Sequence, residues 1–386
     1  MRDVFRAYKT ELAPNREQAE TLAQWCEVSR RVYNWALRGR EYHYETTGET
    51  LTHYDQDKAF TQFKKLDEGS FLRDVSRRVI YYALRDLDMA FKHFFRRVKQ
   101  GGGKPGYPRL HHQARSFTVY GSDIRVSKDR LRLPLIGWIR LKEKAYIPDL
   151  LDSYGECTVS MRAGRWFVSV VCVDVIPERT ASGPSVAAHP GVRQFLTVRR
   201  DDGDETRFEN RRSTELYRKR LARLQRKLSR QKKGSNNREK TKDKIAKTHY
   251  RIACIRSDAT HKATHAVAKM APRHIVIQAW KVRDMLEADT DLPKWLERQI
   301  KRGIADANFS EMLRQIRYKV DWHGSDVIEV DASAPMSKRC SICGEIHEAL
   351  GMEQVFRCPH CGYEADRETN ATKNLLQELE PALSEA

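Results

Sequence analysis

The chain has 386 residues, and 71 Lys and Arg against 52 Asp and Glu leave a formal charge of +19. At roughly 150 residues per domain this length makes two or three domains, and 40% apolar with 32% charged residues is too balanced for a disordered or collagen-like chain. No window approaches the ~20 uninterrupted apolar residues of a bilayer crossing, and Met1–Arg6 is not followed by an apolar run, so neither a membrane span nor a secretory leader is expected. So basic a chain is expected to meet a polyanion, with nucleic acid as the first candidate.

In chain order, residues 3–12 read as a short strand carrying Val4, Phe5, Ala7 and Tyr8. Pro14-Asn15 precedes a helix opening near Arg16. There Leu22, Trp25, Cys26, Val28, Val32, Tyr33, Trp35 and Leu37 recur every three or four positions, until Thr46-Thr47-Gly48 ends the pattern. A second long helix is predicted over 72–99, striped with Val75, Val79, Tyr82, Leu87, Phe91 and Phe94, with His53-Tyr54 on the loop before it. Residues 101–106 are a glycine linker. The period then changes to two. Strands are predicted at 117–120, 124–126, 131–133, 139–141 and 157–161, followed by the apolar run 166–173 after an Ala163-Gly164 turn. Five or more short strands in about 65 residues suggest a small β-barrel, with the N-terminal strand completing it. Further strands at 186–188, 195–199, 206–209, 274–279 and 326–330, flanked by helices, predict a parallel or mixed sheet covered by helices.

Between those strands, Arg211–Arg251 carries 17 Lys and Arg against Glu215, Glu239 and Asp243, a balance of +14 in 41 residues. Tyr217, Leu221, Leu224 and Leu228, then Ile245 and Ile252 beyond Gly234-Ser235-Asn236-Asn237, describe a helical hairpin. A merely solvated face would mix signs, because like charges one turn apart repel. Phosphate contact is the better explanation, with Arg218, Lys219, Arg226, Lys227, Arg230, Lys232 and Lys233 as candidates. Such contacts position a nucleic acid without reading its sequence.

Four of the eight cysteines are scattered singly. The other four form Cys340-x-x-Cys343-Gly344 and Cys358-x-x-Cys361-Gly362, separated by 14 residues. Two thiolates at i and i+3 on a tight turn reach one ion, and two such turns complete a tetrahedron, so a structural Zn²⁺ is expected. A redox dithiol would need a thioredoxin-like βαβ setting, which is absent. His347 and His360 are nearby alternates that the site does not need. This cysteine usage fits a reducing, cytoplasmic location, and with nucleic acid as the expected partner the location is read as nucleoid-associated.

The order of these elements resembles the transposon-encoded TnpB family of small RNA-guided nucleases, related to type V CRISPR effectors. The resemblance rests on Tyr33-Asn34-Trp35-Ala36-Leu37, Ala83-Leu84-Arg85-Asp86-Leu87 through Phe94-Phe95-Arg96-Arg97, and Leu131-Arg132-Leu133-Pro134 with Gly137-Trp138. It continues through Gly164-Arg165-Trp166-Phe167-Val168-Ser169, Lys232-Lys233-Gly234-Ser235 and Asp366-Arg367-Glu368-Thr369-Asn370-Ala371. It implies an α+β multidomain fold. The parts are a wedge β-barrel (1–12 and 105–181), a helical recognition lobe (13–104), and an RNase H-like RuvC α/β domain (182–334) containing the basic hairpin at 211–256. A zinc ribbon (335–364) precedes a last RuvC-like motif and C-terminal helix (365–386).

Where the family places an Asp on the first strand of that domain, this chain has His189, and where it places a Glu at the end of the parallel strand it has Gln278; Asp366 matches the third carboxylate. Mg²⁺ requires anionic oxygens, and the formal ligand charge falls from −3 to −1, so no catalytic Mg²⁺ and no cutting are expected. A displaced carboxylate, Asp284 or Glu287, would be the route by which a rearranged metal site kept an endonuclease alive; a degenerate nucleic-acid binder without a programmed target is the other alternative. With the binding elements retained, the chain resembles the TnpB-like nuclease-dead repressors, which implies a guide RNA, double-stranded target DNA, and a monomeric ribonucleoprotein acting by occupancy. Arg77 and Tyr81, one turn apart, and His53 and Tyr54 are candidate readers of a short flanking motif. Reverting His189→Asp with Gln278→Glu is expected to restore some cutting if only ligands were lost.

Overall fold

The computed structural model describes residues 2–101, 105–149, 154–176, 178, 180–280, 282–287, 293–351 and 353–384, and divides into a unit over Met1–Ile176 and a unit over Pro177–Ala386. Part of the expected 101–106 linker, residues 102–104, lies outside the described residues.

The first unit opens with β1 (Arg2–Ala13) and α1 (Arg16–Thr47). Asn15 starts α1 through a capping box with Gln18, and Gly48 closes it at φ +75°, a left-handed conformation that glycine adopts at no steric cost. The buried stripe of α1 is Leu22, Trp25, Cys26, Val28, Val32, Tyr33, Ala36 and Leu37. Trp35, grouped with that stripe by periodicity, is instead half exposed, with its ring edge-on to Phe60. A helix that the sequence reading placed in a loop follows, α2 (His53–Phe63). Thr52 caps it, with Asp55 reaching back to the Thr52 N–H, so His53 and Tyr54 sit in a first helical turn. The next long helix, α3 (Arg77–Gln100), begins later than expected because Ser76 caps it and residues 67–72 form a 3₁₀ turn.

Strands β2 (Ser116–Tyr120), β3 (Arg125–Ser127), β4 (Arg130–Leu133), β5 (Gly137–Leu141), β6 (Tyr154–Arg162) and β7 (Arg165–Ile176) complete this unit. With β1 they make one sheet in the order β2-β6-β7-β1-β5-β4-β3. The N-terminal strand joins its halves. It pairs with β7 from Arg2↔Ile176 to Leu12↔Trp166, and its last residues turn to β5. Among the described residues β2 and β3 are edges and not partners, so the sheet curls around its core without closing. The apolar run in β7 is covered mainly on one face: Val168, Val170 and Cys172 are buried while Ser169, Val171 and Val173 are half-exposed.

The second unit is built on β8 (Val186–Pro190), β9 (Gln194–Arg200) and β10 (Glu205–Glu209), the helices α4 (Ser213–Arg230) and α5 (Asn236–Lys269), and then β11 (His274–Gln278). It continues with α6 (Val282–Glu287), α7 (Lys294–Ala307), α8 (Phe309–Asp321), β12 (Asp326–Val330), β13 (Val355–Arg357), β14 (Glu364–Asp366), α9 (Arg367–Gln377) and α10 (Leu379–Ser384). The five-stranded sheet runs β10-β9-β8-β11-β12, with β8, β11 and β12 parallel. Its two faces are read by alternate residues. Val186, Ala188, Ile275 and Ile277 pack with Ala263, Val267, Phe309 and Ile316 of α5 and α8; Ala187 and Val276 face Leu375 of α9.

The basic hairpin is α4 and α5, longer than the expected 211–256 because its second helix runs on to Lys269 to pack in the core of the sheet. Its root is a buried carboxylate. Asp306, near the end of α7, accepts from Ser213 Oγ (2.6 Å), Thr214 Oγ1 (2.9 Å) and Arg256 Nη2 (2.9 Å), which ties the start of α4 to α5. Burial alone would raise this acid, but these bonds outweigh it and hold it below the ordinary range. Asp306→Ala leaves the Arg256 guanidinium without its acid and is expected to cost about 3–5 kcal/mol in urea unfolding at pH 7. Because the folded-state value is depressed, that contribution is complete above about pH 4 and fades as the pH falls through the folded value, so variant and parent should converge in acid.

Candidate functional site

His189 and Gln278 are neighbours because β8 and β11 are parallel and in register: Ala187 faces Val276 and Ala188 faces Ile277, so the next pair along is His189 and Gln278. Both lie at the C-terminal ends of their strands, the edge at which open α/β sheets place their sites. By alternation with Ala187 and Val276, both side chains point to the α9 side. Asp366 reaches the same edge as the N-cap of α9. The structure therefore gathers all three positions at one strand-end edge.

Their partners are specific. Gln278 Nε2 donates to the carbonyls of Asp331 (3.2 Å), Ala332 (3.2 Å) and Ala334 (2.8 Å). Asp366 Oδ1 accepts from the N–H groups of Glu368 (3.0 Å) and Thr369 (3.3 Å) and lies 3.4 Å from Arg207 Nη2. His189 Nε2 lies 3.2 Å from Glu368 Oε2, with Trp280 edge-on to the imidazole at 5.0 Å. Burial pushes the Glu368 carboxyl up to about 7 and the His189 imidazole down to about 3, with Arg367 adding to the latter. The imidazole is therefore neutral and the carboxyl partly protonated near pH 7, so this contact is not an ion pair. Gly191 makes room for it, since a Cβ there would come 2.8 Å from the Gln194 carbonyl oxygen and 3.0 Å from Glu368 Oε1.

Two Mg²⁺ ions need several carboxylate oxygens free on one spot. Here one acid is engaged by its own helix start and a guanidinium, another is held partly protonated by burial, and the amide turns its donors outward to carbonyls. That donor set does not fit a Mg²⁺ pair. Glu287 is exposed and paired with Arg283, while the Asp284 side chain lies outside the described residues. Glu368 is the residue that sequence reasoning left unassigned. An acid in the first turn of a helix is ordinary dipole complementation, so nothing in the pattern marked it.

The four cysteines converge. Their sulfurs lie within 4.8 Å of one another, with Cys340–Cys361 at 3.7 Å and Cys343–Cys358 at 3.5 Å; a tetrahedron with ~2.3 Å Zn–S bonds needs about 3.8 Å. The two turns repeat each other: the Cys340 and Cys358 N–H groups donate to Glu345 and Tyr363, and the Gly344 and Gly362 N–H groups donate back to Cys340 and Cys358. Both glycines sit at positive φ, +78° and +72°. The Cys361 N–H helps pull the Cys358 thiol down to about 6, while the neighbouring sulfurs raise Cys343 and Cys361, so without metal the cluster favours a single thiolate shared among its sulfurs. This donor set suits Zn²⁺, and His347 and His360 are outside it.

The hairpin residues Arg218, Lys219, Arg226, Lys227, Arg230, Lys232 and Lys233 are all exposed, while Leu221 and Leu224 face inward. Arg218 is paired with Glu215. Arg223, Arg226, Lys227 and Arg230 line one basic concavity of ≈ 450 Å³. Arg238 sets the hairpin tip by donating to the carbonyls of Leu228 and Gln231 at the end of α4. In the first unit, His53, Tyr54 and Tyr81 form one aromatic cluster, with His53 3.9 Å from Tyr54 and 5.8 Å from Tyr81. His53 Nδ1 meets Asp88 at 2.5 Å, and Arg77 is paired with Asp57 at 2.7 Å.

Comparison with known proteins gives the class. Residues 168–289 match a family model described as "Probable transposase" of the OrfB IS605 type, 309–375 match the "Cas12f1-like, TNB domain", and 1–49 match a "Helix-turn-helix domain" of the OrfB IS605 type. Within 1–49 the structure holds one strand and one helix, so the last description does not match the local fold. The chain belongs to the TnpB family of IS605-type transposon proteins. It is 31% identical over 97% of its length to a "Putative RNA-guided DNA endonuclease" of Streptomyces pristinaespiralis, covering 90% of that protein. It is 30% identical over 96% of its length to the "Putative RNA-guided DNA endonuclease InsQ" of Escherichia coli K12, covering 92% of it. Among solved structures, the mini-RNA-guided endonuclease CRISPR-Cas_phi3 matches over 97% of this chain and 92% of that one, at 11% identity and a TM-score of 0.42.

Two outcomes follow from this geometry. Gln278→Glu sets a carboxylate against three carbonyls that can only accept, at a cost of about 3 kcal/mol at pH 7. The buried acid's pKa rises, so the loss should shrink as the pH drops and the protonated acid becomes a donor again, as urea unfolding at pH 7.5 and 5 will read. Elemental analysis should find one zinc per chain; chelation, or Cys343→Ala, should remove it and lower the melting temperature of the second unit.

Proposed function

We propose that this protein is a nuclease-inactive, RNA-guided DNA-binding protein that represses transcription by occupancy. The observation that carries the reading is the fate of the three strand-end positions. His189 faces a carboxyl that burial drives toward its neutral form, the Gln278 amide faces carbonyls, and Asp366 faces a guanidinium and two N–H groups. Losing ligands from a two-metal site removes several kcal/mol of transition-state stabilisation, and each ~1.4 kcal/mol is tenfold in rate.

Binding has its own support. Relatives at about 30% identity over nearly the whole chain carry the name "Putative RNA-guided DNA endonuclease". The exposed hairpin cations would neutralise RNA phosphates, giving affinity that falls with salt. In this reading a guide RNA finds its target by base pairing, the recognition lobe and the wedge hold the complex, and the RuvC-like domain with its zinc ribbon serves as scaffold. His53, Tyr54, Tyr81 and Arg77 would meet the motif flanking the target. A monomeric ribonucleoprotein in the cytoplasm, seated on the nucleoid, completes the proposal.

The rival reading, an endonuclease with a displaced carboxylate, has Glu368 in its favour, a buried acid beside the site. Guide-loaded protein incubated with matching DNA in Mg²⁺, Mn²⁺ or Zn²⁺ decides between them. Protection of the target without strand scission is the expected outcome, with any cutting at least ~10³ slower than in a cutting relative. Efficient cleavage that Glu368→Gln abolishes would establish the rival. Because Gln278→Glu carries a folding cost, the double reversion with His189→Asp should recover less cutting than the ligand count alone suggests.

A further inference from the structure

A cavity of ≈ 530 Å³ in the first unit lies between α1, α3 and the segment leading into β2. Its volume is within the ~300–1,000 Å³ of small-ligand sites. None of the functional elements described above uses it.

Its wall holds a flat platform. The His111 ring stacks on Tyr33 with centroids 3.9 Å apart and planes 6° from parallel. Tyr33 is buried and His111 exposed, so the outer face of the imidazole remains open. Asn34 fixes this arrangement, since its Oδ1 accepts from the His111 N–H (2.7 Å) and its Nδ2 donates to the His111 carbonyl (2.8 Å). Arg30 donates to the same carbonyl at 3.2 Å. Burial and Arg30 lower the imidazole's proton affinity, so the platform is neutral near pH 7.

Beside it stands an acid with nothing to hold. Asp86 has neither a hydrogen bond nor an ion pair among the described residues, although its neighbours Arg85 and Asp88 are engaged with Glu156 and with Arg40 and His53. Asp86 is an exposed residue, yet the protein packed around its carboxyl raises the group to about 6, which leaves it mostly ionised at pH 7. Gln113 and Arg115 line the same cavity, exposed and with no side-chain partner among the described residues.

A neutral stacking face, a free carboxylate and a free guanidinium complement one nucleobase. Guanine presents N1–H and N2–H₂ as adjacent donors, which the two oxygens of a carboxylate accept together; the other bases offer fewer donors on that edge. Its O6 and N7 accept from a guanidinium. Stacking on an aromatic ring contributes to the binding of any base, so it is the carboxylate that discriminates. We infer that this cavity binds a single unstacked guanine, with the base on His111, its N1–H and N2–H₂ on Asp86, and O6 or the phosphate on Arg115. The source of the base, bound RNA or free guanine nucleotide, is the part that rests on the proposed function.

The test uses full-length protein stripped of nucleic acid in high salt and titrated calorimetrically with GMP, AMP, CMP and UMP. GMP should bind at least about tenfold more tightly than the others. Asp86→Asn, which removes a charge that the surrounding protein disfavours and should not lower the melting temperature at pH 7, should erase that preference; His111→Ala should weaken GMP binding. Ultraviolet crosslinking of the protein purified with its RNA separates the sources. A guanine adduct at His111 assigns the base to RNA, whereas GMP preference without an adduct assigns it to free nucleotide. Equal affinity for the four nucleotides, or GMP binding that Asp86→Asn leaves intact, overturns the inference. The RNA content of the purified protein is a separate readout, and its absence defeats the guide-RNA reading without touching the GMP result.

Discussion

Three backbone carbonyls converge on the side chain of Gln278, and a carbonyl can only accept a hydrogen bond. That one-way chemistry organises the strand-end edge of the second unit. The loop over 331–334 leads directly to the first cysteine turn, and other side-chain amides hold the same strap. Asn374 Nδ2 donates to the Met336 and Arg339 carbonyls, Asn370 Nδ2 to the Arg339 carbonyl, and Gln377 Nε2 to the Ser341 carbonyl. Amides from β11 and α9 thus replace backbone ladder bonds across a segment with little regular structure. A carboxylate at position 278 would remove the anchor at the β11 end and add repulsion in its place.

The same unit solves a second electrostatic problem differently. A hairpin with a surplus of fourteen positive charges repels itself, and leucines along one stripe do little to fix its direction. Asp306 supplies the fixed point: a single buried acid gathers two hydroxyls, a backbone N–H and the Arg256 guanidinium at the root. Everything beyond it can then remain exposed and cationic along its length.

Much of this was legible from local pattern. The apolar period of α1, the Gly-terminated cysteine turns, the strand runs at 186–188 and 274–279 and the tip at Gly234 all lie where spacing put them, because each depends on residues a few positions apart. The errors were also local. The capping box of Thr52 and Asp55 starts a helix where the apolar pattern alone predicts a loop, and the period predicts a core place for Trp35 that Ala36, one position on, takes.

The sequence by itself determined the order of elements, the excess charge and its concentration between 211 and 251, and the cysteine spacing, since these are properties of neighbours in the chain. Tertiary structure alone decided which side chains meet. Glu368 lies against His189, the Gln278 amide reaches a loop more than fifty residues away, Asp306 roots a hairpin that begins at Ser213, and Asp86 is left facing a cavity without a partner. These pairings follow from parallel strand register and helix packing, which bring distant residues together, and no local period encodes such contacts.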